Sequence, residues 1–197
     1  MESGLQDSAA DRKLCELILY ITSCCLNYGN LGATRLNKIL FYSDFAAYLK
    51  LGKSITGQEY FALQAGPAPR RLLPVREQML ASGQIETYKV KISEEYQQQL
   101  IVPQRKPELS QFTADEIAIV DQVMVRFFWK SPEDVSDESH NFIGWLAAEL
   151  QETIPYSSAL LDADHILGSE PLGMSKDAVE HARRLEDKAK KLREQYA

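Results

Sequence analysis

Asp134, Asp137, Ser139 and His140 place two carboxylates, a hydroxyl and an imidazole close together, the side-chain types that hydrolases use as orienting acid, nucleophile and base. Their spacing argues against that use. Neighbouring residues of a helix point about 100° apart, so the Ser139 hydroxyl would not meet the His140 imidazole. No GxSxG elbow accompanies them. His140 therefore reads as a hydrogen-bonded structural residue or a partner contact. Gly66-Pro67-Ala68-Pro69 ahead of Arg70 has the outline of a phosphate loop. Its prolines, however, lack the N–H groups such a cradle needs, and no GxxxxGK[ST] follows. It reads instead as a stiff extended corner that fixes where the next helix departs. Cys15, Cys24 and Cys25 share one segment and form neither a disulfide framework nor a CxxC site, and His140, His165 and His181 belong to no HxxxH pattern. The expectation is no catalytic set, no metal site and no cofactor. Asp44 lies in an otherwise apolar helix; if buried, it requires a partner such as Lys38, Arg70 or a backbone amide.

The elements that would position these residues follow from apolar periodicity. Leu14, Leu17, Ile18, Ile21 and Cys25 make one stripe of a first helix starting near Asp11. Leu36, Ile39, Leu40, Ala46, Ala47 and Leu49 make a second, with Thr34 as N-cap and Gly52 as stop. A short strand over 60–63 precedes the Gly-Pro corner, and a third helix is expected from about Pro69 to Ser82. Residues 85–92 alternate as a half-exposed strand, and 97–102 return as its hairpin partner until Pro103. Thr113 and Glu116 form a capping box before the strongly apolar helix of Ile117, Val120, Val123, Met124, Phe127 and Phe128. Ser131-Pro132 breaks that helix. Another is expected over about 137–150, with a loop at 153–156 and a short helix around 158–161.

These elements define a mainly helical fold with a small antiparallel β-hairpin, organised as a flexible N-terminus (1–10), a domain (11–168) and a charged C-terminal amphipathic helix (174–197). In that helix Ala178, Ala182, Leu185, Ala189, Leu192 and Tyr196 form an a/d seam suited to packing on its own domain, to homo-oligomerisation or to docking on a partner. The 197 residues suffice for one well-packed domain with an appended element. No apolar run approaches the ~20 residues that span a bilayer, and the N-terminus lacks the basic start and apolar block of a signal peptide. A cytoplasmic protein without membrane partners is expected. The net charge of −6 and pI of about 5.2 disfavour non-specific DNA binding. Three helices and a hairpin do trace a winged helix, with Arg70, Arg71, Arg76, Lys89 and Lys91 where it would want positive charge.

Several short strings recur in one order: Leu36, Lys38-Ile39-Leu40-Phe41-Tyr42, Asp44, Gly52-Lys53, Ile55-Thr56-Gly57 and Gly66-Pro67-Ala68-Pro69-Arg70. Ser139-His140, Trp145 and Ile154-Pro155-Tyr156 follow. Together they resemble the SocA-like antitoxin family, or Panacea domain, of bacterial and phage toxin–antitoxin pairs, over about residues 12–162. Lys38, Tyr42, Asp44, Gly57, Gly66, Pro67, Pro69, Ser139, His140 and Trp145 carry the signature, with Ala68 where a branched apolar residue is common. The resemblance implies a non-enzymatic antitoxin that binds a cognate protein toxin directly. Two other roles are a proteolytic adaptor delivering the toxin to a protease and, from the winged-helix outline, a DNA-binding autoregulator. Tyr42, Tyr48, Tyr60, Arg70, Arg71, Phe142 and Trp145 are the candidate partner-binding residues, since aromatic and arginine anchors dominate specific interfaces.

Overall fold

The structure is a computed structural model that describes residues 8–26, 31–91 and 97–168. The first helix, α1 (Ala9–Cys25), starts two residues earlier than expected because Ser8 Oγ accepts from the Asp11 amide at 3.0 Å. Ala9 and Ala10 therefore belong to the folded domain.

The second helix, α2 (Ala33–Leu51), begins with Gly32 as N-cap, so Thr34 already lies inside it. Gly52 ends it as expected: at φ 73° it turns its amide back to Tyr48 O at 3.0 Å. From Lys38 to Ala47 every residue but none of the last turn is buried, the condition of a helix packed on all sides. α2 is thus the axis around which the other elements assemble.

Tyr60–Leu63 forms β1 and Gly66–Pro69 forms β2, an antiparallel hairpin with Leu63 opposite Gly66. The Gly-Pro stretch is therefore a strand, not a corner. The Arg70 amide donates to Glu59 O at 2.8 Å. Because hydrogen-bonded and non-bonded pairs alternate along an antiparallel ladder, Ala68 falls at a bonded position and Pro67 and Pro69 fall between. The prolines occupy the sites on this edge strand where an N–H is not used. Thr153–Ile154 adds as β5 on the other side of β1, giving the order β2-β1-β5 where a loop was expected.

The third helix, α3 (Leu72–Ala81), starts later than expected because the strand claims Pro69 and Arg71 precedes the first turn. Ile85–Lys91 (β3) and Gln97–Pro103 (β4) form the expected hairpin, with Ile85 opposite Pro103. The Thr113–Glu116 capping box opens α4 (Ala114–Phe128). A second box, Ser131 with Asp134, opens α5 (Pro132–His140), so the segment expected only to break a helix also starts one. The single helix expected over 137–150 is replaced by the end of α5 and a short α6 (Ile143–Leu146), followed by a 3-10 turn (Tyr156–Leu161) and α7 (Ala163–Leu167).

One hydrophobic core runs from Leu14 to Ile166. Among the described residues no helix is long and apolar enough to cross a membrane. The expected C-terminal helix and its seam lie outside the described residues.

Candidate functional site

Two polar side chains of α2 reach irregular backbone on opposite flanks. Asp44, fully buried, accepts hydrogen bonds from the amides of Ile55 and Thr56, both at 2.8 Å, from the Tyr60 hydroxyl at 2.8 Å and from the Thr56 hydroxyl. Of the partners anticipated for it, the backbone amides are the ones used, and neither Lys38 nor Arg70 pairs with it. Burial raises the Asp44 carboxyl above the usual carboxylate range, against the four donors that favour its ionised form. Gly57 supplies the positive φ of 72° that lets Ile55-Thr56-Gly57 fold around the carboxylate. Tyr60 and Tyr156 are pushed up by burial and by the Asp44 charge, and the Tyr156 hydroxyl donates to Gln58 O at 2.7 Å.

The second grip is on the β1–β2 turn. Lys38, only 1% exposed, donates from Nζ to Ala65 O at 2.5 Å, and Trp145 Nε1 donates to Leu63 O at 3.0 Å. Gly66, at φ 93°, leaves room for both neighbours: a Cβ there would overlap the Lys38 ammonium and stand 2.7 Å from Ser139 Oγ. Burial lowers the Lys38 ammonium to about 8. The His140 ring packs on Trp145 with centroids 4.4 Å apart. Its imidazole is lowered by burial and by the Lys38 charge, while Asp137 and a backbone hydrogen bond at Gln64 act the other way. Ser139 Oγ donates to Ser136 O at 2.7 Å, so the hydroxyl caps its own helix instead of meeting His140. Lys38, Gly66, Ser139, His140 and Trp145, distant in sequence, thus enclose one turn, and what they do there is position it.

A third cluster ties α7 to the core. The Tyr42 hydroxyl and His165 Nε2 are 2.8 Å apart, and the Arg126 guanidinium lies over the Tyr42 ring, with Cζ 4.8 Å from its centroid. Arg126 donates to Ile166 O at 2.6 Å and His165 O at 2.7 Å and pairs with Glu138, which also pairs with Lys130. Burial lowers the His165 imidazole and raises the Tyr42 phenol. No sequence pattern pointed to Arg126, Glu138 or His165, because the contacts link segments far apart in the chain.

The seven candidate partner residues divide by burial. Tyr42, Tyr60 and Phe142 are enclosed in the core and offer no surface in this fold. Tyr48 is half-buried and stacks on Tyr156, with centroids 5.7 Å apart. Half-buried Arg71 forms a 2.9 Å ion pair with Asp11, whose carboxyl burial alone would raise but which Arg71 and Gln58 hold below the usual range. Trp145 is half-buried at the turn. Arg70 is exposed over the Phe61 ring, donating to Thr153 Oγ1 at 3.2 Å. On α3, Arg76 is half-buried and the exposed positions include Leu73, Glu77 and Leu80, not a basic row for a DNA groove.

A family model described as antitoxin SocA-like, Panacea domain, matches residues 36–146, more than half of the chain. The match holds Lys38, Asp44, Gly66, Ser139, His140 and Trp145, and so both grips of α2. No curated protein and no solved structure matches the chain.

Proposed function

The chain belongs to the SocA-like antitoxin family, the Panacea domain, and from that premise we propose that it neutralises a cognate protein toxin in the cytoplasm by direct contact. The observation that carries this reading is how the signature residues are used. Lys38, Asp44 and Ser139 are buried and hydrogen-bonded to the chain itself. Side chains so placed stabilise a rigid domain; they do not reach a substrate. Recognition then falls to exposed side chains around that frame. A specific neutralising interface of the usual size would cover about 800 Å² of this protein.

Growth rescue tests the proposal. The neighbouring reading frame is expressed with and without this protein, and the pair is then co-purified. Relief of toxicity together with a stable complex is the expected result. Relief without a complex points to repression of the operon or to adaptor-driven proteolysis, and toxicity that persists sinks the assignment for that pair.

A further inference from the structure

Of the twelve large apolar side chains exposed among the described residues, six lie between Ile143 and Leu167, on α6, the 3-10 turn and the segments that follow each. The Ile143 amide donates to Asp162 Oδ2 at 3.2 Å, and Gly144 sits so close to the 3-10 turn that a Cβ there would strike Ser158 Oγ. α6 and the turn therefore share one surface. Leu146, at the end of α6, is 63% exposed and Leu150 after it 67%, and in the 3-10 turn Leu160 is 63% and Leu161 76% exposed. Ile143 at the start of α6 and Leu167 at the end of α7 are exposed as well. Apolar groups so open to water, on adjoining elements, are the usual mark of an interaction surface.

The charge around this face indicates what covers it. From Ser131 to Gly168 the sequence holds eight carboxylates and no Lys or Arg. Glu138 is answered by Arg126 and Lys130, but Glu149, Glu152, Asp162 and Asp164, which flank the leucines, pair with no described cation. The cation at the β5 end, Arg70, is already engaged by Glu59, Gln151 O and Thr153. Two of these carboxylates accept backbone hydrogen bonds, Asp162 from Ile143 and Glu152 from Glu149, yet none is neutralised by a described cation, and apolar surface beside such charge complements a segment that is apolar on one side and cationic on its flanks.

We propose that the face formed by α6, residues 147–150 and the 3-10 turn is the docking site for a cationic amphipathic segment of the toxin, an assignment that rests on the antitoxin reading above. Residues 169–197 are a weaker candidate for the same place, because their seven basic and six acidic residues nearly cancel. Electrostatic attraction would steer the partner's segment, and burial of its apolar side against the leucines would hold it.

The test uses the full chain and a labelled synthetic helix of roughly 18 residues, with Leu at i, i+3, i+4 and i+7 spacing and Lys elsewhere, beside a copy with Glu in place of Lys. Fluorescence anisotropy should show binding of the Lys peptide and not the Glu peptide. Leu150→Lys combined with Leu161→Lys should weaken it at least about tenfold, and Leu73→Lys with Leu80→Lys on α3, an equal change of charge elsewhere, less than about twofold. Glu149→Gln with Glu152→Gln should weaken binding and flatten its salt dependence. Equal loss in both lysine pairs would reduce the effect to net charge and overturn the site. So would absence of binding, including absence relieved only by removing residues 169–197, which would make that segment the occupant. In the growth-rescue assay the Leu150→Lys, Leu161→Lys protein should fail to neutralise. If it rescues as wild type, the docking site is wrong while the antitoxin reading stands. If the neighbouring frame is not toxic but peptide binding remains patch-specific, the antitoxin reading fails and the surface survives.

Discussion

Replacing Gly66 by Ala adds one methyl group where the structure has no room for it. Two costs combine. The backbone at φ 93° is strained for any residue with a Cβ, at about 1–2 kcal/mol. The new Cβ also overlaps the Lys38 ammonium, which must leave Ala65 O, and losing a charge-assisted hydrogen bond made by a buried ammonium costs about 1.5–3 kcal/mol. Gly66→Ala should therefore destabilise by about 2.5–5 kcal/mol, a large share of the ~5–15 kcal/mol typical of a domain. Urea denaturation followed through tryptophan emission measures it, since Trp145 holds the same turn at Leu63 O. The reasoning makes a sharper claim about coupling. Met at position 38 keeps the Lys stem but removes the ammonium, so in a Lys38→Met background Gly66→Ala should cost only what both backgrounds share, the backbone strain and the 2.7 Å approach to Ser139 Oγ. The difference between backgrounds, about 2 kcal/mol, is the interaction term of the double-mutant cycle. A loss below about 1 kcal/mol, or equal losses in the two backgrounds, would refute the claim that glycine is there to admit the lysine.

Lys38 should also leave a signature in the pH dependence of stability. Its folded-state value of about 8 lies below the 10.5 of an ordinary lysine, so between those values the unfolded chain holds a proton that the folded one has lost, and stability rises with pH. Relative to Lys38→Met, the wild type should gain about 2 kcal/mol between pH 8 and 9.5, read from denaturation midpoints, with no corresponding trend below pH 7. Asp44→Ala should leave two amides and two hydroxyls without their acceptor and cost about 4 kcal/mol or more, whereas Tyr60→Phe removes one donor and should cost about 1–2 kcal/mol; thermal melts separate the two. Tyr42→Phe should loosen α7 by breaking the contact with His165, so hydrogen exchange should accelerate at 163–167 and stay unchanged in β3. Comparable protection in both proteins would mean that Arg126 alone secures that helix.

What could be read from the sequence was local. The capping box at Thr113, the glycine stop at Gly52 and the β3–β4 hairpin each depend on residues a few positions apart, and the structure has them where their chemistry requires. The Ser131–Asp134 box is equally local, but a proline there marks a helix end as readily as a helix start, so only the break is legible without the structure. The β1–β2 hairpin was hidden for another reason. Prolines count against a ladder until the partner strand is known, and only pairing with Glu59 and Phe61 shows that Pro67 and Pro69 fall at its unused positions. The grips of α2 were half visible: residue types showed that Asp44 needs a partner if buried, but not that Lys38, Ser139 and Trp145 converge on one turn. Aromatic residues chosen as interface anchors were the least legible, because tyrosine serves a core and a surface equally well. The fold sends Tyr42, Tyr60 and Phe142 inside.

The two polar side chains of α2 explain why the domain tolerates buried charge at its centre. Apolar residues at positions 38 and 44 would bury without desolvation cost, yet they would leave the amides of Ile55 and Thr56 enclosed and unpaired and Ala65 O without its protein donor. A hydrophobic contact would also let the two connections slide along the helix, whereas a hydrogen bond of fixed length does not. Lys38 and Asp44 are six positions apart, so one rigid helix sets the distance between the 55–57 loop and the β1–β2 turn. The turn, through Trp145, then sets α6. Through this sequence of contacts the buried signature residues govern the placement of the exposed leucines and carboxylates without touching a partner themselves. Substitutions at the exposed leucines around α6 should therefore cost the fold little, while substitutions at Lys38, Asp44 or Gly66 should disturb the frame on which that surface depends.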